Sequence, residues 1–146
     1  MFFAYKSTHV DKYLKTMLSF NKKNKKGKYM AFKLDEKNFM ISGYKGDSAS
    51  FTFKVNSEIS DYSLCFYVKK NINDPEEKAI FTKEFVNPVD NTAVLELSSE
   101  DTSKFLTKNS CFHDYYWSLK IKNNNGYVQT LIPNNFEEVP VFRVYP

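Results

Sequence analysis

Runs of alternating apolar and polar residues recur along this chain from Phe39 to Val144, and they limit its fold more than any other feature. In the run at residues 50–55, for example, Phe51, Phe53 and Val55 fall on one side of an extended chain. Turn signals, rather than long helical patterns, separate the runs. The eight predicted strands are residues 39–44, 50–55, 63–70, 79–86, 92–97, 114–122, 126–132 and 139–144. Short strands at this spacing predict an all-β, two-sheet sandwich.

The predicted interior is rich in aromatic side chains. Phe, Tyr and Trp make up 17% of the 146 residues, and such rings bury large areas on pleated surfaces. One strand is expected to face the core with Leu64, Phe66 and Val68. The longest strand carries inward residues at every second position, namely Tyr115, Trp117, Leu119 and Ile121. About a dozen such side chains, at roughly 1.5–3 kcal/mol each, are enough to stabilise a sandwich without a disulfide.

Two segments interrupt the alternation in an interpretable way. In residues 98–106, Ser98 or Ser99 is predicted to cap a single helical turn, after which Phe105 and Leu106 plug one end of the core. The sequence Asn-Asn-Asn-Gly at residues 123–126 is a strong hairpin signal.

The charge of the chain is unevenly distributed. The net charge is +4, but residues 1–33 hold nine Lys and one acid, Asp11, whereas the remainder holds twelve basic and sixteen acidic residues. A cationic N-terminal segment therefore precedes a mildly acidic body.

An amphipathic helix is predicted near the N-terminus, starting at Ser7 or Thr8. It would be about a dozen residues long, which is marginal for an isolated helix, so it needs a surface on which to dock. Its apolar stripe comprises Val10, Tyr13, Leu14, Met17 and Leu18. A polar linker follows with Lys22, Lys23, Lys25, Lys26 and Lys28. Together these ten residues form the predicted partner-binding site.

The predicted organisation is an arm at residues 1–29 and a sandwich at residues 30–146. Met30 opens a plausible protein start of its own, and residues 26–29 could be encoded by a purine-rich ribosome-binding sequence. A translated leader at residues 1–29 therefore stays open as an alternative to a genuine arm. No apolar run suggests a secretory signal or a membrane span, so cytosolic synthesis is expected.

No constellation of residues indicates catalysis. Cys65 and Cys111 lack metal-type spacing and are expected to be reduced, although a bridge between them remains open because their strands could be neighbours. Cys111 and His113 alone supply neither the ligands of a zinc site nor an oriented base for a nucleophile. The adjacent acidic pairs are typical of solvated loops, and four glycines are too few for a phosphate-binding cradle. We therefore expect no enzyme, cofactor or metal.

Exposed tyrosines offer an alternative function. Tyr62, Tyr67 and Tyr116 are expected on or near the outer face, where they would suit a carbohydrate- or receptor-binding module. The lysine cluster suggests a second alternative, contact with nucleic-acid phosphates, but it has no interleaved aromatic residues or Arg for reading bases. Nucleic-acid binding is therefore disfavoured.

Several short motifs carry a family resemblance. They are Gly46-Asp47 before the strand at residues 50–53, the sequence FYVKKN at 66–71, LSSEDTS at 97–103, YYWSLKI at 115–121 with its NNNG hairpin, and VFRV at 141–144. In their order and spacing, residues 38–146 resemble an immunoglobulin-like domain of phage virion proteins, including the N-terminal domain of upper baseplate proteins of Gram-positive phages. The chain departs from that pattern at residues 111–113, where a glycine is usual, and in its N-terminal arm.

The resemblance implies a non-enzymatic structural protein of a phage virion, made in the host bacterial cytoplasm. It would serve as a tail or baseplate adaptor or a capsid decoration, attach through its arm, and contact other virion proteins, including copies of itself. No membrane is implied.

Overall fold

The computed structural model describes residues 2–4, 15–20, 32–56, 61–107, 111–133 and 138–146, with only the backbone considered at residues 2–4, 15–20 and 56. The strands are β1 Phe2–Ala4, β2 Lys15–Phe20, β3 Lys33–Asp35, β4 Met40–Tyr44, β5 Ala49–Asn56, β6 Tyr62–Lys69, β7 Phe81–Val86, β8 Thr92–Leu97, β9 His113–Asn123, β10 Val128–Ile132 and β11 Val141–Tyr145. A single-turn helix, α1, spans Ser99–Ser103, and short 3-10 turns occupy Glu76–Lys78 and Val89–Asn91.

The strands form two sheets, so the predicted all-β sandwich is confirmed at this level. One sheet has the order β1-β2-β5-β8, and the other has the order β3-β4-β11-β9-β6-β7, with β10 also paired to β9. Strand β9 is long enough to pair with β11 through its first residues and with β10 further along the same edge. Among the described strand pairs, β4 and β11 run parallel and the others run antiparallel.

The core lies between the two sheets and follows the predicted alternation. Phe51 and Phe53 of β5 are buried against the second sheet, where the rings of Phe53 and Phe66 are stacked with centroids 6.1 Å apart. Trp117 is also buried, and its Nε1 donates a hydrogen bond to the carbonyl oxygen of Phe39 at 2.8 Å. The other predicted inward residues are buried too, namely Val55, Leu64, Val68, Tyr115, Leu119 and Ile121.

The helical turn after β8 forms as predicted, but only one of its two apolar residues enters the core. The Ser98 side chain accepts a hydrogen bond from the Asp101 N–H, and the Asp101 side chain accepts one from the Ser98 N–H, which completes a capping box. Phe105 is buried and packs against Phe142 with ring centroids 4.9 Å apart. Leu106 is 71% exposed, because its backbone is held at the surface by two hydrogen bonds to the Tyr115 hydroxyl.

The N-terminal segment differs from the prediction where the structure describes it. Lys15–Phe20 is a strand that pairs antiparallel with β5, so Met17 and Leu18 do not end a helix. A helix of this length is marginal on its own, whereas the strand pairs with the otherwise free edge of β5. Residues 5–14, where that helix was predicted to begin, lie outside the described residues. So does the boundary between residues 29 and 30, which stays a prediction.

Candidate functional site

The structure describes two of the ten predicted partner-binding residues, Met17 and Leu18. Met17 pairs with Lys54 and Leu18 pairs with Phe53, so both lie in β2, between β1 and β5 of the four-stranded sheet. The other eight lie outside the described residues, namely Val10, Tyr13, Leu14, Lys22, Lys23, Lys25, Lys26 and Lys28. Their role as an anchor therefore stays a prediction.

The tyrosines predicted for the outer face are less accessible than expected. Tyr62 is buried because it shares the inward face of β6 with Leu64, and its hydroxyl donates a hydrogen bond to Asn91 Oδ1 at 2.8 Å. Tyr67 does point outward, but it is only 6% exposed. Its hydroxyl accepts a hydrogen bond from Lys122 Nζ at 2.8 Å. Neither ring is available to stack on a sugar, whereas Tyr116 remains partly exposed.

The structure locates the candidate metal ligands and both thiols within the described residues. No group of three or more His, Cys, Asp or Glu side chains there is arranged to hold a metal ion. Cys65 and Cys111 are both free, so the alternative of a bridge is wrong. Cys65 is buried, and this burial raises the pKa of its thiol, which disfavours a nucleophilic thiolate. The part of the chain that the structure describes also contains no helix with the length and hydropathy needed to cross a bilayer.

An exposed aromatic cluster lies instead on the outer face of the seven-stranded sheet. Tyr44 of β4 pairs with Tyr145 of β11, and their ring centroids are 5.5 Å apart. Phe112, just before β9, meets Tyr145 edge-on with centroids 5.9 Å apart. Tyr44 is 55% exposed and Phe112 is 46% exposed. We call Tyr44, Phe112, Arg143 and Tyr145 the aromatic surface.

Arg143 holds this surface in a fixed geometry. Its Nε and Nη2 atoms donate hydrogen bonds to the two carboxylate oxygens of Asp114, at 2.7 and 2.9 Å. Its guanidinium carbon lies 4.0 Å from the centroid of the Phe112 ring, in a cation–π contact. The hydrogen bond to Asp114 is the largest influence that raises the pKa of Arg143 above its ordinary value, so the group stays charged. A bidentate ion pair restrains both side chains, and the restrained guanidinium supports the ring.

A pocket of about 380 Å³ opens at one end of the sandwich. Phe105 and Tyr115 are among its apolar walls, and the exposed side chains of Ile80 and Leu106 stand at its mouth. His113 also lines it, with its ring centroid 4.6 Å from that of Tyr115. The pocket therefore gathers apolar side chains together with a few polar groups.

Sequence reasoning missed the aromatic surface, although one signal was present. In β4, Ser42 and Tyr44 alternate with the inward Ile41. In β11, Arg143 and Tyr145 alternate in the same way with inward residues, namely Phe142 and Val144. The alternation therefore places these residues outside. What it cannot supply is the parallel pairing of β4 with β11, which brings residues about a hundred positions apart side by side.

The described part of the chain is therefore a two-sheet β-sandwich that displays the aromatic surface on the outer face of its seven-stranded sheet. Comparison with models of known protein families gives no match, and neither does comparison with curated protein sequences.

Proposed function

We propose that this chain is a non-enzymatic, immunoglobulin-like structural adaptor of a phage virion, and that its aromatic surface contacts another virion protein. The observation that carries the proposal is the exposure of Tyr44 and Phe112 around an arginine that is already fixed by Asp114. The virion setting follows from the sequence resemblance at residues 38–146.

Strand order supports the immunoglobulin-like part of the proposal. In such sandwiches, a strand near the N-terminus runs parallel to the last strand, as β4 does with β11. The neighbouring strands β5 and β8 of one sheet, and the series β11-β9-β6-β7 of the other, also correspond to the central strands of the two sheets in immunoglobulin-like domains. Near the start of β9, the Tyr115 hydroxyl hydrogen-bonds to the backbone N–H and carbonyl of Leu106, which resembles the tyrosine corner of these folds.

The composition of the aromatic surface supports protein binding. Aromatic residues and Arg are enriched where protein interfaces concentrate their binding energy. Large rigid rings also lose little conformational entropy on association, and here the rings and the guanidinium already contact one another. A partner would therefore meet an ordered surface.

Single substitutions in the full-length chain test the proposal. Phe112→Ser and Tyr44→Ser remove exposed rings from the aromatic surface, whereas Val94→Ser removes an exposed apolar group from β8 in the opposite sheet. We expect at least a tenfold loss of the chain from particles assembled with either ring variant, and normal incorporation of the Val94 variant. Quantitative mass spectrometry of purified virions measures the content, and urea unfolding confirms that each variant folds. Normal incorporation of both ring variants would refute this role for the surface.

Carbohydrate binding is the second candidate function. The exposed rings of Tyr44 and Phe112 favour it, since sugars stack on accessible aromatic faces. This alternative predicts reproducible signals from the wild-type chain on a glycan array, with loss of those signals in Tyr44→Ser. The wild-type chain giving no signal on the array would remove this candidate.

A further inference from the structure

The two ends of the sandwich carry features that complement each other. We propose that copies of this chain associate head to tail, with Val89 of one copy inserted into the end pocket of the next. This inference goes beyond the proposed function, because it concerns two copies of the chain and needs no other virion protein.

The acceptor is the pocket next to the end of β6. Its mouth is apolar and open, since Leu106 and Ile80 are both exposed beside it. A cavity of roughly 150 Å³ lined by aliphatic side chains already accommodates benzene. At about 380 Å³, this pocket is large enough for a branched aliphatic side chain and part of its neighbour.

The charge around the pocket favours an acidic partner. Lys70 and Lys104 line it and are exposed. The pocket's acid, Asp101, accepts a hydrogen bond from the Ser98 N–H within the capping box, and this contact and others lower its pKa. With two lysines and one aspartate, the lining of the pocket has a net positive charge.

The group that would enter this pocket belongs to residues 86–91 of the next copy, a segment that we call the knob. Val89 is 80% exposed and Val86 is also exposed, which leaves an apolar tip facing solvent. Asp90, directly after Val89, is exposed as well. An apolar tip flanked by a carboxylate is the counterpart of an apolar pocket flanked by lysines.

The backbone holds this knob in a defined shape. Asn87, Asp90 and Asn91 all have positive φ values, of 46°, 53° and 55°, a conformation that non-glycine residues adopt at a cost. Two contacts with Tyr62 anchor the segment. The Asn87 N–H donates to the Tyr62 carbonyl at 2.9 Å, and the Tyr62 hydroxyl donates to Asn91 Oδ1. A knob restrained in this way loses little entropy when it enters a pocket.

Strand register places the knob and the pocket at opposite ends of the molecule. In the antiparallel pair β6 and β7, Val68 lies beside Phe81 at the pocket end, and Ser63 lies beside Val86 at the knob end. Five residue steps along β7 separate these ends by about 17 Å. One chain therefore cannot fill its own pocket, and repeated contacts of this kind between copies generate closed rings or linear chains.

Two full-length variants, and an equimolar mixture of them, test the proposal. Val89→Lys removes the knob and places a cation opposite Lys70 and Lys104, whereas Leu106→Lys blocks the mouth of the pocket. Val128→Lys, at an exposed position on β10, is the control. Sedimentation velocity from about 10 μM to 1 mM measures association. The contact alone is smaller than a standard interface, so it is expected to be weak.

The wild-type chain and the Val128 variant should form larger species as concentration rises. Each of the other variants should associate at least tenfold more weakly. An equimolar mixture of Val89→Lys and Leu106→Lys should form dimers and nothing larger, because one intact knob and one intact pocket remain. Fluorescence of the single tryptophan, Trp117, verifies that all variants are folded.

Three results would overturn the proposal. They are a wild-type chain that stays monomeric to 1 mM, a Val89→Lys or Leu106→Lys variant that associates like wild type, and a mixture of folded variants that does not dimerise. Unchanged association of Val89→Lys alone would point to a symmetric contact between pockets, which contradicts a head-to-tail arrangement.

Discussion

Gly43 lies in β4, where its backbone packs directly against the ring of Phe32. A Cβ atom at this position would come within 2.5 Å of that ring. The ring cannot easily move away, because Phe32 is buried and stacks on Phe142 with centroids 5.3 Å apart. A glycine inside a strand indicates such a close approach, although the sequence does not reveal which residue approaches.

At the scale of a single residue, we predict that Gly43→Ala destabilises the protein. Overpacking of a dense core typically costs about 1–3 kcal/mol, so the free energy of unfolding measured in urea should fall by that amount. Ser42→Ala, on the outward face of the same strand, should change it by less than about 0.5 kcal/mol. Equal stability of the two variants would show that the Phe32 ring moves aside at no cost.

At the scale of elements, the connection between β6 and β7 folds back over the outer face of the second sheet. Glu76, on the 3-10 turn, is paired with Lys120 of β9, and its other oxygen lies 3.4 Å from Lys122 Nζ. Lys122 also donates a hydrogen bond to the Tyr67 hydroxyl. This contact network explains why Cys65 and Tyr67 are buried although alternation places them outside the core.

Glu76 should make the stability of the protein depend on pH. Burial acts to raise its pKa, but the hydrogen bonds and charges of Lys120 and Lys122 outweigh that effect, so the pKa is lowered from 4.5. A carboxyl group with a lowered pKa in the folded state stabilises that state above its unfolded pKa. Its contribution is lost as the pH falls from about 4.5 through the lowered value.

We therefore expect Glu76→Gln to be less stable than wild type at pH 7 and to lose less stability on acidification. Urea midpoints at pH 7, 5, 4 and 3 measure both effects. Glu77→Gln, an exposed neighbour on the same turn, is the control and should follow the wild-type curve. Parallel curves for wild type and Glu76→Gln would contradict the role of this ion pair.

At the scale of the whole molecule, the two sheets differ in how their edges are completed. Six residue pairs join β2 to β5, so a segment of the N-terminal extension covers the edge of a strand that belongs to the sandwich. Deletion of the predicted arm, residues 1–29, would therefore uncover this edge of β5. An open edge with unpaired N–H and carbonyl groups is a template for pairing with another chain.

We predict that this deletion leaves a folded but weakened sandwich. Cross-strand pairs contribute roughly 0.2–1 kcal/mol each, so the six lost pairs should lower the free energy of unfolding by between roughly 1 and 6 kcal/mol. Light scattering should also detect stronger association than the full-length protein shows at the same concentration. Deletion of residues 1–4 keeps β2 and should have a smaller effect on both measurements. A truncated chain that is as stable as the full-length protein and associates no more strongly would contradict the pairing of β2 with β5.

Local patterns in the chain were enough to predict the class of fold and most of its strands. Alternation with a period of two places Phe51 and Trp117 inside, a capping box marks the turn at Ser98, and Asn-Asn-Asn-Gly forms the hairpin after β9. Each of these features depends on residues that are close in sequence, so the information is contained in short segments.

Only the tertiary structure decided which outward residues reach solvent and which surfaces they form. The connection that carries Glu76 buries Tyr67, the pairing of β4 with β11 assembles the aromatic surface, and β5 draws Lys15–Phe20 into a strand. These outcomes depend on contacts between segments that are distant in sequence. Alternation distinguishes the two faces of a strand, but it does not specify what packs against either face.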